Sequence, residues 1–534
     1  MVENGLKSEQ SVTGGQSIWE SDDAHIKRMG KKPVLKRNFG TFSIFGLSCT
    51  ILGTWECLLG AFIRPLQNGG SGGTVYAFIF CWLGTIAIFV VLAELVSMAP
   101  TAGGQYHWAA MLAPQRYQKF LSYITGWMTV IGWQTGLASL AFLTGTTIQG
   151  AAILGNVDFE SPPWQGTLLV WASLTCALIA NLTGGRMLPR IETVVLFIHI
   201  LGFLGIMIPL TYMSDHKSHE MFLQFLNYGE FSSQGLAWCI GMSSCAFVFA
   251  GGDAAVHMSE EVVNASRVIP RVLILGVITN GCLGFGMLLA VLFCAGDLQD
   301  ALDSPTGYPF MEIFYQATRS RAGSLAMCSI IIINFSCSLI GMLAATSRQL
   351  WSFSRDRGLP GWRWWSQVSP SFKLPIHSII LTVLVSMLLA LINIGSPVAL
   401  DDILSMAVSS IYLSYLVISI LLLYRRIKGD ISEYNDSEDA IVNVPGAQLV
   451  WGPFHCSGIW GTLINAFATF YILLVVFFSF WPSKMNPGVE GMNWSILGVG
   501  GSSIIGVIYY FVRARRIYTG PIREVSVETT ASVD

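Results

Sequence analysis

Residues 45–56 read Phe45-Gly46-Leu47-Ser48-Cys49-Thr50-Ile51-Leu52-Gly53-Thr54-Trp55-Glu56, and residues 245–254 read Cys245-Ala246-Phe247-Val248-Phe249-Ala250-Gly251-Gly252-Asp253-Ala254. Both stretches lie in apolar windows long enough to cross a bilayer. Each has glycine near its middle, then small polar residues and a carboxylate. Glycine costs about 1 kcal/mol in a helix interior relative to alanine, and an ionised side chain at the bilayer centre costs roughly 2.5–3.5 kcal/mol on insertion scales. A helix built only to span carries neither. Where a helix breaks inside lipid, its unpaired N–H and C=O groups are tolerated only if they line a cavity or hold a ligand. A half-helix N-terminus attracts anions and a half-helix C-terminus attracts cations. Two glycine-interrupted segments at corresponding places point to a transporter binding site, and a solute with adjacent opposite charges, such as an amino acid, suits them. The alternative is packing, because glycine lets membrane helices approach closely. Glycine, carboxylate and matched position together favour the site.

Composition supplies the membrane. Of 534 residues, 53% are hydrophobic and 12% charged, about half the charged share of a soluble domain, which is near 25%. That is too little charge to coat a water-soluble particle. The hydrophobicity excludes a disordered chain, and length with cysteine placement excludes a secreted disulfide scaffold. A net charge of −2, with no basic stripe interleaved with aromatics, argues against nucleic acid as a partner. A span needs roughly 20 apolar residues, and the reading predicts twelve, at about 40–63, 74–98, 119–149, 165–183, 190–212, 236–258, 272–295, 323–349, 376–396, 400–424, 456–481 and 493–513. Pro100 stops the second, the third is long enough to tilt or protrude, and the seam near Gly395-Ser396-Pro397 is the weakest division. The fold class expected is all-α integral membrane.

Residues 1–37 are a polar tail without a signal-peptide core, so the first span is its own insertion signal. With that tail in the cytoplasm, the outer segments hold Arg64, Lys217, Arg319, Arg321 and Lys484. The other 25 of the 30 basic residues, Arg186 and Arg523 among them, fall inside. Both termini are expected to be cytoplasmic, the second as a tail over 516–534. Trp164, Trp238, Trp451, Trp460, Trp481 and Trp494 lie near span ends and suit an interfacial belt; Trp82, Trp127, Trp133 and Trp171 suit helix contacts. The eleven cysteines are scattered with no C-x-x-C pair, and the reading is reduced packing residues with no metal site.

The first and sixth spans are equivalent if residues 38–515 form a five-plus-five inverted repeat, about 38–212 and 236–424, followed by two extra helices over 456–513. Three motifs then carry a family resemblance. Ala93-Glu94-Leu95-Val96-Ser97-Met98-Ala99-Pro100-Thr101-Ala102-Gly103-Gly104-Gln105-Tyr106 resembles the second-helix signature of amino acid permeases. Asp253-Ala254-Ala255-Val256-His257-Met258-Ser259-Glu260-Glu261 resembles the end of their sixth helix. The run from Ala345-Thr346-Ser347-Arg348 to Arg355-Asp356-Arg357-Gly358-Leu359-Pro360 resembles their eighth helix and the loop after it. Together they resemble the fungal amino acid/choline transporter family, which includes γ-aminobutyrate and choline permeases, within the amino acid–polyamine–organocation superfamily.

The resemblance implies twelve helices in a five-plus-five inverted repeat with helices 1 and 6 broken. It also implies cation-coupled, usually proton-coupled, uptake by alternating access. Carried over residue by residue, it places Ile51, Leu52, Gly53 and Thr54 at the substrate carboxylate through backbone N–H groups. Phe247 becomes the gating aromatic, and Ala250, beside Gly251, offers its carbonyl to the amine. One departure stands out: some members place a lysine in the fifth helix for proton coupling, and this fifth span has none, so the proton-binding residue is left open.

Single residues divide between function and structure. Glu56 either binds a distal ammonium or carries the coupling proton, or else pairs with a polar neighbour. Asp253 either holds the substrate amine or caps the inner half of helix 6. Glu94 reads as a structural or gate ion pair. Glu260, Glu261, Arg348, Arg355 and Arg357 read as a cytoplasmic gate or as solvated juxtamembrane charge. His199, mid-span in helix 5, is a proton relay or a neutral, hydrogen-bonded packing histidine. Trp133, Gln134, Asn334 and Ser336 line the pocket or glue helices together. A choline substrate wants an aromatic cage, for which Trp55, Phe247 and Trp133 are available.

The expected function is a permease importing amino acids or a related small amine by proton symport, with choline, another quaternary amine or a polyamine as the alternative substrate. A non-transporting nutrient sensor on the same fold is the rival from another class. No carbonyl filter, H-E-x-x-H, nucleophile elbow or P-loop supports a channel, an enzyme or an ATP-driven pump. No cofactor is expected. The plasma membrane is the expected location, with a vacuolar or other internal membrane as the alternative.

Overall fold

A computed structural model describes residues 35, 37–61, 63–156, 158–184, 187–396, 398–434 and 441–522. The sequence expectations on residues 1–34, Lys36, Arg186, Pro397 and residues 523–534 lie outside the described residues. The chain enters at α1 (Thr41–Leu52) and continues through α2 (Thr54–Gly60), α3 (Ile63–Met98), α4 (Gln105–Leu112), α5 (Gln118–Gly155), α6 (Pro163–Gly184) and α7 (Leu188–Met213). A second series follows: α8 (Gln234–Phe247), α9 (Ala254–His257), α10 (Ala265–Cys294), α11 (Pro309–Thr318), α12 (Arg321–Arg355), α13 (Ile376–Leu389), α14 (Ile392–Gly395) and α15 (Ala399–Lys428). After a two-stranded parallel pairing of β1 (Ile431–Ser432) with β2 (Leu449–Val450), α16 (Gly458–Ser479) and α17 (Ser495–Tyr509) close the bundle.

Among the described residues, eleven helical stretches are long and apolar enough to cross a membrane, counting α1 with α2 and α13 with α14 as one each. The missing one is the sixth window. There α8 stops after 14 residues, short of the roughly 20 a span needs, and the chain re-enters helix six residues later as the four-residue α9. The interrupted spans are therefore the first and the sixth, as the glycine pattern predicts. At Gly53 the backbone is left-handed, with φ 41° and ψ 42°. At Gly251 φ is 98°, a conformation open to glycine at little steric cost.

The helical stretch α3 begins at Ile63, but it is two helices joined across a kink at Gly70 (φ 69°, ψ −171°), so the long helix of the second span begins just past Gly70, a few residues before the expected 74. Main chain packs closely there: a Cβ on Gly72 would lie 2.4 Å from the Phe222 carbonyl oxygen. The third span runs on to Gly155, beyond the expected 149. The helix before Pro100 ends at Met98, as expected.

The core is built on α5, which packs against α15, α12 and α6, and on α3, which packs against α8 and α10. Glycines set the spacing. A Cβ on Gly132 would lie 2.8 Å from the Ile411 backbone nitrogen, and one on Gly145 would lie 2.6 Å from that of Val170. Indole N–H groups of Trp82, Trp127 and Trp171 donate to the carbonyls of Val277, Ser502 and Met387 on neighbouring helices, so these tryptophans are contact residues as read. Trp164, Trp460 and Trp494 are exposed, as a belt requires. Trp451 is not part of a belt: it is buried and stacked beneath the Arg426 guanidinium, 4.7 Å from its ring centroid. The cysteines are all free, and no cluster of potential metal ligands occurs among the described residues.

The segment leading into the first span is tied to the end of the sixth. Asn38 and Phe39 each donate a backbone N–H to the Glu261 carbonyl at 3.0 Å, and Val263 N–H donates to the Phe39 carbonyl at 3.1 Å.

The packing account makes a direct prediction. Gly145→Ala forces α5 off the α6 backbone and lowers stability by about 1–3 kcal/mol, read as a lower thermal midpoint of the detergent-solubilised protein. Gly500→Ala, whose Cβ meets nothing within 4 Å, leaves the midpoint in place. Equal midpoints for both variants refute the account.

Candidate functional site

The two breaks are stitched to each other. Ser48 Oγ donates to the Gly252 carbonyl at 3.1 Å, and the Cβ position of Gly251 lies 3.4 Å from Ile51 Cγ2. Gly252 has no room for a side chain, since a Cβ would sit 2.6 Å from the Phe89 ring. Polar groups from three other spans serve the frayed helix ends. Ser338 Oγ on α12 donates to the Thr50 carbonyl at 2.7 Å. Asn280 Oδ1 on α10 accepts from Thr54 N–H at 3.4 Å. Tyr412 on α15 donates its hydroxyl to the Ala246 carbonyl at 3.4 Å. Backbone groups that lose their helical partners in a membrane need such partners, and here they come from the surrounding bundle.

Beside the first break, Glu56 Oε1 lies 2.6 Å from His199 Nδ1, with both side chains buried. Glu56 thus has a polar neighbour, and His199 is hydrogen-bonded. The outer atoms of the pair, Glu56 Oε2 and His199 Nε2, have no hydrogen-bond partner, nor do Thr54 Oγ1, Trp55 Nε1 and Asn334 Oδ1. Trp55 packs against His199 and Phe203. Asn334 spends its amide on the Ile330 carbonyl of its own helix at 3.1 Å, and Gln134 donates to Thr382 Oγ1 at 3.0 Å, bonding α5 to α13.

At the second break, Asp253 occupies the N-cap position of α9, but its side chain makes no capping bond. The capping expectation is not met. Asp253 Oδ2 instead accepts from Gln105 Nε2 at 2.7 Å and lies 3.7 Å from His257 Nε2. Tyr415 faces the same carboxylate, while Asp253 Oδ1 has no partner. His257 passes Nδ1 to the Ala102 carbonyl at 3.0 Å and stands edge-on to Trp133, with centroids 5.0 Å apart. Trp55 and Trp133 therefore sit in separate packings, the first with His199 and Phe203 and the second with His257.

The face carrying the ends of α3, α9, α12 and α15 is closed by buried ion pairs. Arg355 grips Glu260 through both terminal nitrogens, at 3.0 and 2.7 Å, and lies over Trp351. Arg348 Nε meets Glu261 at 2.9 Å. Glu94 pairs with Arg426 and also accepts from Cys456 N–H at 2.7 Å. Of the gate residues named from sequence, Glu94, Glu260, Glu261, Arg348 and Arg355 are brought into buried pairs, whereas Arg357 is exposed and lies over the Trp362 ring. Tyr106 donates to Asp356 Oδ2 at 2.6 Å; burial, with the Asp356 charge next, pushes its phenol well above the usual range and keeps it a donor.

The opposite face holds a cavity of about 300 Å³ lined by Arg64, Gln67, Thr146, Gln149, Tyr308 and Asp401, among others. A smaller space of about 10 Å³, which shares Arg64, Ser244, Asp401 and Leu404 with it, is lined by Phe247. Phe247 and Ala250 are partly exposed, whereas Ile51, Leu52, Gly53 and Thr54 are buried. The sequence reading missed Gln105, Asn280, Ser338, Tyr412, Tyr415 and Glu192. A carboxylate inside the fifth window was signal enough for Glu192; the others depend on helix rotation.

The family model described as amino acid permease matches residues 39–502. The chain is similar to amino-acid permease 2 of Neurospora crassa, 25% identical over 526 residues that cover 98% of this chain and 93% of the relative. It is similar to amino-acid permease BAT1 of Arabidopsis thaliana, 26% identical over 539 residues, covering 98% and 99%. It is also similar to the choline transporter of Saccharomyces cerevisiae, 28% identical over 488 residues, covering 90% and 82%. With eleven spanning stretches, a divided sixth helix beside them and a family match over nearly the whole bundle, the chain belongs to the amino acid permeases of the amino acid–polyamine–organocation family, and is a multi-pass membrane transporter, not an enzyme.

Proposed function

We propose that the protein imports an amino acid or closely related zwitterionic amine by proton symport, moving between states open to either side of the membrane. The carrying observation is the pair of stitched helix breaks lying between a cavity on one face and three buried ion pairs on the other. In this reading the cavity is the outer vestibule, of the size small-molecule sites have, about 300–1,000 Å³. Phe247 is its floor and gate. Below it the substrate carboxylate meets the positive end of α2 at Gly53 and Thr54, where Thr54 Oγ1 and Trp55 Nε1 stand unpartnered. The amine meets the negative end of α8 near Ala250 and Gly251, with Asp253 as the compensating charge.

Glu56 and His199 form the coupling pair in the same reading. Their short contact joins an acid to a base in a desolvated place, and a proton taken up there alters the charge beside the first break directly. The ion pairs of Glu94, Glu260 and Glu261 form the inner gate, and their parting exposes the site to the cytoplasm. The Saccharomyces choline transporter favours a quaternary amine as the second substrate reading.

Uptake into vesicles under an imposed pH gradient tests the function, with radiolabelled amino acids, γ-aminobutyrate, polyamines and choline. Saturable, gradient-driven accumulation of a zwitterion is expected, near tenfold per pH unit for each proton coupled. Saturable binding without flux establishes a sensor instead, and flux indifferent to the gradient removes proton coupling. Glu56→Gln is expected to bind substrate but lose accumulation against a gradient. The gate has its own test in thermal unfolding. Arg348→Ala strands the buried Glu261 carboxylate and costs about 3–5 kcal/mol. The double variant with Glu261→Ala costs clearly less than the two single losses added, and strict additivity would deny the pair its role.

A further inference from the structure

The fifth span holds a carboxylate that the function above leaves unused. Glu192 on α7 is fully buried and sits in the seam between α1, α7 and α12. Its Oε2 lies 3.1 Å from Thr50 Oγ1 of α1. A Cβ on Gly341 of α12 would lie 2.7 Å from its Oε1, and a Cβ on Gly46 of α1 would lie 2.7 Å from its carbonyl oxygen. Two glycines, one on each neighbour, thus admit this residue. Oε1 has no hydrogen-bond partner. The titratable group across the seam is Cys337 of α12, which feels the Glu192 charge. On the first span Glu56 is engaged with His199 of α7, and Arg190 of α7 is exposed. Among the described residues no cation comes within ion-pair distance of Glu192.

Counting hydrogens decides which form fits. Thr50 has one hydroxyl hydrogen and lies 3.0 Å from the Gly46 carbonyl and 3.3 Å from that of Leu47. An ionised Glu192 needs donors for both oxygens, and the single Thr50 hydrogen would have to leave its own helix to supply one. A protonated Glu192 donates to Thr50 Oγ1, which hands its hydrogen to Gly46, giving one neutral chain from α7 into α1. An uncompensated buried charge is costly, whereas a satisfied neutral chain is not.

We propose that Glu192 is a second proton-binding site, whose proton clasps the first half of span 1 to span 5 and whose release to the cytoplasmic side lets that half move. Linkage is reciprocal: if the proton favours the clasped state, the clasped state binds the proton more tightly by the same factor. The inference rests on the proton-coupled reading above.

The test is Glu192→Gln, a fixed copy of the protonated form, in vesicles with the internal pH varied. Binding measured with the best substrate of the uptake screen is expected to stay at the wild-type level. The initial uptake rate should fall about tenfold or more, the scale of one pKa unit, and no longer rise with internal pH. Wild-type rate and wild-type internal-pH response in Glu192→Gln overturn the proposal. If that variant does not fold, Glu192→Asp is read instead: a shifted internal-pH midpoint supports the site, and an unshifted one overturns it. The two ideas fail differently. Accumulation that responds to Glu56→Gln but not to Glu192 variants defeats this inference alone. A wild type that ignores the proton gradient defeats both.

Discussion

A peptide group that loses its helical partner inside hydrocarbon has no water to turn to. That constraint governs this bundle. Opening the first and sixth helices strands carbonyls and amides at mid-membrane, and each must be met from elsewhere. Ser338, Asn280 and Tyr412 reach in from α12, α10 and α15, and Ser48 joins one break to the other. The breaks are therefore not local defects. They fix the rotation of at least three other helices, because a donor turned away by one residue can no longer serve.

Charge is distributed with the same economy. The pairs Arg355–Glu260, Arg348–Glu261 and Arg426–Glu94 concentrate on one face, and aromatic rings lie against two of the guanidinium groups. Buried ion pairs of this kind add little net stability compared with apolar packing. What they offer is a contact that either exists or does not, which suits a boundary between states better than a continuous apolar surface. On the opposite face the cavity walls mix charged and apolar groups, Arg64 and Asp401 beside Phe142 and Leu404, and Phe247 lines a smaller space next to it.

The breaks were legible in sequence because their cause is local: Gly53, Gly251 and Gly252 with Glu56 and Asp253 beside them. Glu94, Glu260 and Arg355 were legible as charges that need partners, though not which partners, since Arg426 is distant along the chain. Asp253 was read as a cap from its position, yet Gln105 draws its carboxylate away, and no pattern along the sixth span records that. The short helix before Gly70 was hidden for a different reason: the glycines from 69 to 73 gave no apolar pattern, and what fixes them is the main chain around Phe222 and Gln224 packed against them. Tyr412 and Tyr415 gave no signal, because their value depends on which way α15 faces. Local chemistry was readable; contacts made across helices were not.

The short ladder between Phe39 and Val262 has a mechanical meaning. It yokes the stem of α1 to the chain leaving α9, so the two half-helices are joined at their roots by main-chain bonds. In the transport cycle proposed above, a pull on one stem would pass to the other before either swung far, and that face would open as a single leaf hung on one hinge, not as two flaps answering to separate thresholds.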